Sequence, residues 1–227
     1  MPLADSRSTL PVILFDLDGT LIDSLELLIE AMQHAFASRE GPAPTVEEWV
    51  SSIGRPLRWQ FGQYAGEEEV QSLVQSYRTY QLEHHDRLTR LYEGIHDVVV
   101  RLHEAGHRLG VVTSKGDQLA NHSLAHVGLS PYLDIVVGMD ATERHKPEPE
   151  PILFAIERLG VAAGDAVYVG DSTYDVMAAN AAGVTSIGVT WGAASHQALR
   201  DVNASHLVGS PAELEALIAQ LRGALSP

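Results

Sequence analysis

The sequence predicts an α/β protein: a Rossmann-like parallel sheet with helices on both faces, interrupted after its first strand by an all-helical unit. Three observations carry this. Short apolar runs of strand length alternate with helix-spaced segments from residue 95 onward. The runs are continuous, as in strands covered on both faces, and do not alternate with polar residues. Between Asp23 and Tyr92, in contrast, the apolar spacing is helical and no strand-like segment appears. With 227 residues and 45% hydrophobic content there is room for one large domain, or one carrying a smaller insertion, around a core of real size. The division expected is an α/β body from 1–22 and 92–227, and a helical cap from 23–91.

The first strand is Val12-Ile13-Leu14-Phe15, led in by Pro11 and running into the acidic turn Asp16-Leu17-Asp18-Gly19-Thr20. Leu25, Leu28, Ile29, Met32 and Phe36 then space a helix over 24–37, which Gly41-Pro42-Ala43-Pro44 ends. Thr45-Val46-Glu47-Glu48 is a capping box, with the Thr45 hydroxyl accepting a helical N–H and Glu48 reaching back. Ile53-Gly54-Arg55-Pro56-Leu57 breaks that helix, and a long one follows over 67–90. A helix over 95–105 stops at Gly106. Strand 109–112, helix 117–127, strand 135–138, helix 149–159, strand 166–169, helix 174–182 and strand 185–189 succeed one another, and a last helix covers 211–221. Ligands of such sheets bind at the carboxyl ends of the strands. The helical insertion therefore reads as a lid over that edge.

Chemistry concentrates at those strand ends. Asp16 and Asp18, two apart in extended chain, share a face. Two carboxylates about 4 Å apart repel by roughly 4 kcal/mol at an effective dielectric near 20. Such a pair needs a metal ion or a shared proton. Gly19 permits a sharp turn, and Thr20 adds a hydroxyl beside the acids. Thr113, Ser114 and Lys115 close a body strand, where hydroxyls and N–H groups suit a phosphoryl oxygen, although a Thr there also serves structure alone. Lys146 lies in His145-Lys146-Pro147-Glu148-Pro149, and the prolines stiffen the backbone that aims it. An ammonium held in place neutralises charge on a nucleophile and on a phosphoryl group in transfer; in an open loop it would be a solvated charge. Val167-Tyr168-Val169-Gly170-Asp171 is another buried strand ending in a carboxylate. Asp175 straddles the next helix start with Asp171, a place that an ordinary first-turn acid also fits.

These stretches resemble the motifs of the haloacid dehalogenase-like superfamily of phosphohydrolases. They are Asp-x-Asp-Gly-Thr at 16–20, a Thr closing a strand at 113, Lys-Pro-x-Pro at 146–149, and Gly-Asp-Ser-x-x-Asp at 170–175. The resemblance implies a sheet ordered 5-4-1-2-3 under a four-helix cap. It implies that Asp16 is the nucleophile, that Asp18 is the general acid and base, and that Lys146 assists them. It further implies Mg²⁺ held by Asp16, the Asp18 carbonyl and Asp171, with Asp175 either ligating it or orienting a bound water and Lys146. Thr113, Ser114, Lys146 and the N–H groups after Asp16, at Leu17 and Asp18, would hold the phosphoryl oxygens. Arg55, Arg58 and Arg78 in the cap are candidates for gripping a second anionic group. Ile53-Gly54-Arg55-Pro56-Leu57 and Val189-Thr190-Trp191-Gly192 are similar to the phosphoglycolate phosphatase branch, with core packing an equal account of Trp191. Tyr77-Arg78-Thr79-Tyr80, with Glu83, His85 and Asp86, resembles the inorganic pyrophosphatases of that branch.

The expected activity is Mg²⁺-dependent hydrolysis of a small phosphorylated metabolite such as phosphoglycolate, with pyrophosphate as the alternative. A phospho-accepting signalling module fits less well, since it needs neither the helical insertion nor Asp18. Dehalogenation is opposed by the acid at 18, and sugar-phosphate mutation by Thr20, where those relatives more often carry Val.

A formal charge of −15 argues against nucleic acid and anionic membranes as partners, and an anionic substrate must be drawn in by a local positive site. With no cysteine there is neither a disulfide framework nor thiolate chemistry. Residues 1–7 lack the basic-then-apolar pattern of a leader, and no apolar run approaches the ~20 residues of a membrane span, so a cytoplasmic monomer or homodimer is expected. His84 and His85, adjacent on a helix and facing different ways, read as surface residues.

Overall fold

The computed structural model describes residues 10–224. The leader reading of 1–7, and the extreme ends assigned to the α/β body, lie outside the described residues. In chain order the elements are β1 (Val12–Phe15), β2 (Ile22–Asp23), α1 (Leu25–Phe36), α2 (Val46–Ser52), α3 (Leu57–Gly62), α4 (Glu67–Leu88), β3 (Arg90–Leu91), α5 (Ile95–Glu104) and β4 (Leu109–Val112). They continue with α6 (Asp117–His126), β5 (Ile135–Val137), α7 (Glu150–Leu159), β6 (Ala166–Gly170), α8 (Thr173–Ala182), β7 (Thr185–Val189), α9 (His196–Asp201), β8 (His206–Val208) and α10 (Pro211–Ala224). No described helix is long and apolar enough to cross a membrane.

The main sheet is parallel throughout, in the order β5-β4-β1-β6-β7-β8. Its first five strands keep the expected 5-4-1-2-3 arrangement, and β8 extends it by a sixth strand beside β7. This strand went unread because His206-Leu207-Val208 is too short and too mixed to display a period. The expectation of no strand between Asp23 and Tyr92 is also corrected. Ile22–Asp23 pairs antiparallel with Arg90–Leu91, and so ties together the two ends of the helical segment. Two-residue strands carry no periodicity to read. The short helices α3 and α9 were missed for the same reason.

Burial explains the apolar runs. Along β1, Ile13 and Phe15 point into one core with α5, α6 and α10, while Val12 and Leu14 point into another with α7 and α8. Side chains alternate across the pleat, so a strand with a layer on each face must be apolar at every position. The segment between β2 and β3 has a core of its own. Its centre is Trp49 against Phe61 at 5.2 Å, with Tyr77 at 5.8 Å from each. The Trp49 indole N–H donates to Leu28 O at 3.2 Å, which removes the cost of burying it. The Thr45–Glu48 capping box forms as its sequence indicates.

Because β4, β1 and β6 are adjacent and parallel, their carboxyl ends lie side by side. Phe15 is in register with Val111 on one side and Val169 on the other. The residues that follow, Asp16, Thr113 and Asp171, therefore emerge on one edge.

Candidate active site

Asp16 is buried, and its Oδ1 lies 3.0 Å from Lys146 Nζ. The alignment is poor for a hydrogen bond, and Oδ1 is otherwise without a partner. Lys146 is 1% exposed. Its ammonium donates to Asp175 Oδ1 at 2.7 Å and to the Tyr168 hydroxyl at 3.1 Å. Tyr168 in turn donates to Val112 O at 2.7 Å. Burial alone would lower the Lys146 pKa, but Asp16 and Asp175 outweigh it and hold the ammonium above its ordinary value. The Lys146–Pro147 peptide is cis.

Asp175 closes a capping box at the start of α8. The Ser172 N–H and hydroxyl donate to its Oδ2 at 3.0 and 2.6 Å, and Ser172 Oγ accepts from the Asp175 N–H. With Oδ1 on Lys146 and Oδ2 on the cap, Asp175 ties the Lys146 ammonium to the start of α8. Asp171 accepts from the Thr20 hydroxyl at 3.0 Å and from the Ala193 N–H at 2.6 Å. Gly19, at φ +82°, lets the first turn pass directly over Asp171; a Cβ there would collide with that carboxylate. The Leu17 carbonyl accepts from the N–H groups of Thr20, Leu21 and Ile22, which winds 17–22 into a tight turn. Trp191 donates its indole N–H to Thr20 O at 3.1 Å, pinning that turn from the β7 side.

Carboxylate oxygens of Asp16, Asp171 and Asp175 lie within 4.8 Å of one another. Burial first, then neighbouring charge, pushes the Asp16 pKa up to about 7, against the opposing pull of Lys146. Burial, Asp175 and Asp16 push Asp171 up to about 8. Crowded, desolvated acids with only oxygen donors suit a hard divalent cation such as Mg²⁺.

Asp18 faces a different partner. Its Oδ1 accepts from Lys115 Nζ and from the Ser24 hydroxyl, both at 2.6 Å. Lys115 is buried, and the sequence set it with Thr113 and Ser114 beside a phosphoryl oxygen without its partner Asp18. Its place directly after Thr113-Ser114 was the available signal. Tyr168 was hidden because an aromatic residue inside a strand reads as core.

Above the acids opens a cavity of about 550 Å³, whose wall includes Asp16, Asp18, Thr113, Ser114 and Lys115 from the body. From the helical segment come Leu28, Trp49, Ile53, Arg55, Tyr77 and Arg78. Ser114 donates its hydroxyl to Gly54 O at 2.6 Å, bridging body and helical segment. Arg55 stacks over Trp59 at 4.3 Å and Tyr174 at 5.3 Å and reaches Lys146 O at 3.4 Å, with its Nε buried and without a hydrogen-bond partner. Arg78 is exposed at the cavity rim. Arg58 is a correction: it donates to Gln71 at 2.6 Å on the exposed side of the helical segment and takes no part in the cavity wall. His85 is a second correction, since it is 1% exposed and not on the surface.

The comparisons bear on fold and family. A protein named pyrophosphatase PpaX from Bacillus velezensis is 37% identical over 189 residues, covering 83% of this chain and 86% of that one. The crystal structure of a predicted phosphatase from Clostridium acetobutylicum superposes with a TM-score of 0.84 at 30% identity, covering 93% and 99%. That of a predicted phosphoglycolate phosphatase from Haemophilus somnus gives 0.81 at 24% identity, covering 92% and 98%, and speaks for the fold. The haloacid dehalogenase-like hydrolase family matches residues 13–189, from β1 to the end of β7. With the acid-bearing strand ends inside that span, the chain belongs to the haloacid dehalogenase-like hydrolases.

Proposed function

We propose that the protein is a Mg²⁺-dependent phosphatase that hydrolyses a small phosphorylated metabolite of the phosphoglycolate kind through an aspartyl-phosphate on Asp16. The observation that supports this best is the Asp16 carboxylate beside a buried ammonium at the floor of a 550 Å³ cavity with a partly apolar wall. A cavity of that size leaves room for an organic leaving group.

Asp16 attacks phosphorus in line, and the bond to the leaving oxygen breaks as the aspartyl–phosphate bond forms. Asp18 gives its proton to the departing oxygen and later takes one from the water that cleaves the intermediate. Lys115 and Ser24, both on Asp18 Oδ1, hold that carboxylate in place for both steps. Lys146, kept in line by Asp175 and Tyr168, neutralises Asp16 and the equatorial oxygens. Thr113 and the N–H groups of Leu17 and Asp18 bind those oxygens, while the Ser114 hydroxyl serves the bridge to Gly54. Mg²⁺, when bound by Asp16 and Asp171 with the Asp18 carbonyl, supplies the charge that lets a polyanion approach these acids. Residues 23–91 act as a lid that excludes water and meets the variable part of the substrate.

Pyrophosphate is a second reading, favoured by the 37% identical relative that bears the name pyrophosphatase. Purified protein with Mg²⁺ is to be assayed against phosphoglycolate, pyrophosphate, sugar phosphates and nucleotides. A tenfold preference in kcat/KM, about 1.4 kcal/mol, decides between the two leading substrates. Asp16→Asn is expected to keep the fold and lose nearly all turnover; a variant with near-normal rates would remove Asp16 as nucleophile.

A further inference from the structure

Away from the catalytic-site acids, where α4 of the helical segment crosses α6 of the body, three histidines converge on one carboxylate oxygen. Asp86 Oδ1 lies 2.7 Å from His85 Nδ1, 2.8 Å from His122 Nε2 and 3.7 Å from His126 Nδ1. His122 and His126 are four apart on α6 and so share a face. The ligand atoms of His85, Asp86 and His122 all lie within 4.8 Å of one another.

The hydrogen bonds behind this cluster commit its tautomer. The Ser123 hydroxyl donates its single proton to Leu119 O at 2.8 Å. It can therefore only accept from His85 Nε2, at 2.7 Å, so Nε2 carries the ring proton. In the singly protonated ring, Nδ1 then presents a bare lone pair to a carboxylate oxygen 2.7 Å away. Two lone pairs at that distance repel, so the contact calls for a positive charge, either a second ring proton or a cation bound by both atoms. Locking the far ring nitrogen by a hydrogen bond is how metal-binding histidines are oriented.

We propose that His85 Nδ1, Asp86 Oδ1 and His122 Nε2, with His126 in reach as a fourth ligand, form a second metal site for a borderline divalent cation of the Zn²⁺ class. Imidazole nitrogens with one carboxylate suit Zn²⁺ and Co²⁺ and disfavour Mg²⁺ and Ca²⁺, so the two sites select different ions. Because its ligands come from both α4 and α6, the bound ion staples the lid helix to the body at the far rim of the cavity. The site does not depend on the phosphatase reading.

Full-length protein held in excess Mg²⁺, to occupy the acids, is titrated with Co²⁺ while visible absorption and thermal unfolding are followed. One Co²⁺ per chain is expected, with a nitrogen-ligand spectrum and a raised Tm. His122→Ala, at a half-exposed position where folding is safe, abolishes both signals. Ser123→Ala, which frees the tautomer, weakens affinity about tenfold. Asp171→Asn leaves both unchanged. Absence of Co²⁺ binding would overturn the proposal, as would a signal that survives in His122→Ala and is lost in Asp171→Asn.

Discussion

Lys146 shows how one residue can define a site. An ammonium buried to 1% exposure is tolerable only because Asp16 and Asp175 flank it, and each acid is tolerable only because of the ammonium. One positive charge nevertheless faces three buried acids, and the excess sets a pH dependence. Asp16 and Asp171 hold their protons up to about 7 and about 8 in the folded state, against 3.8 when free. The stability that this contributes is full below 3.8 and is lost as pH rises through 7 to 8. A divalent cation takes the place of the missing protons. The Tm gain on adding Mg²⁺ is therefore expected to grow from about pH 5 to about pH 8. Differential scanning at both pH values checks this, and a gain that shrinks with pH contradicts it. At this scale the sequence marked Asp16, Asp18, Lys146 and Asp171 as candidates because strand ends and prolines frame them, and the structure brings Asp16, Lys146 and Asp171 together. The pairing of Lys115 with Asp18 stayed hidden because a lysine in a loop has no local feature that marks it as buried.

The elements divide by length. Every helix of ten residues or more, and every strand running between two covered layers, was legible, since each repeats its pattern often enough to be counted. The two-residue pairing of β2 with β3, and β8, whose three residues open on a histidine where β5 is wholly apolar, offered no such pattern. Short sequence features were legible where the chemistry is local. The Thr45–Glu48 box is formed within four residues, and the equally local Ser172–Asp175 box of α8, of which the sequence showed only a first-turn acid, emerges with the structure. What holds the helical segment together is less local, because Trp49, Phe61 and Tyr77 come from three different helices. Trp49→Ala empties the centre of that cluster and is expected to cost about 3–5 kcal/mol. Hydrogen exchange should show the loss in α1 to α4 before the sheet, and a uniform loss would mean that the two units unfold as one.

For the whole molecule, the formal charge of −15 makes the local cations decisive. Lys115 and Arg55 line the cavity and Lys146 stands behind Asp16 in its wall, each from a distant part of the chain. Arg55 lies between the unit that carries it and Tyr174 of the body, with a donor still unused. Under the proposed function, that donor would meet a second anionic group of the substrate, whether carboxylate or phosphate. Arg55→Ala is expected to raise KM about tenfold with a smaller change in kcat, the share of one charged hydrogen bond. A fall in Tm with unaltered KM would make Arg55 purely a strut of the helical segment.

By itself the sequence determined the parallel sheet, the inserted helical unit and the acids at the strand ends, because each is written in the spacing of neighbouring residues. Only the tertiary structure decided that Lys115 serves Asp18, that Asp175 serves Lys146, that Arg58 turns away, and that His85 is buried beside His122. Those outcomes depend on which side chains from remote segments arrive at one point, and electrostatic pairing in a desolvated interior depends on distances that no local spacing records.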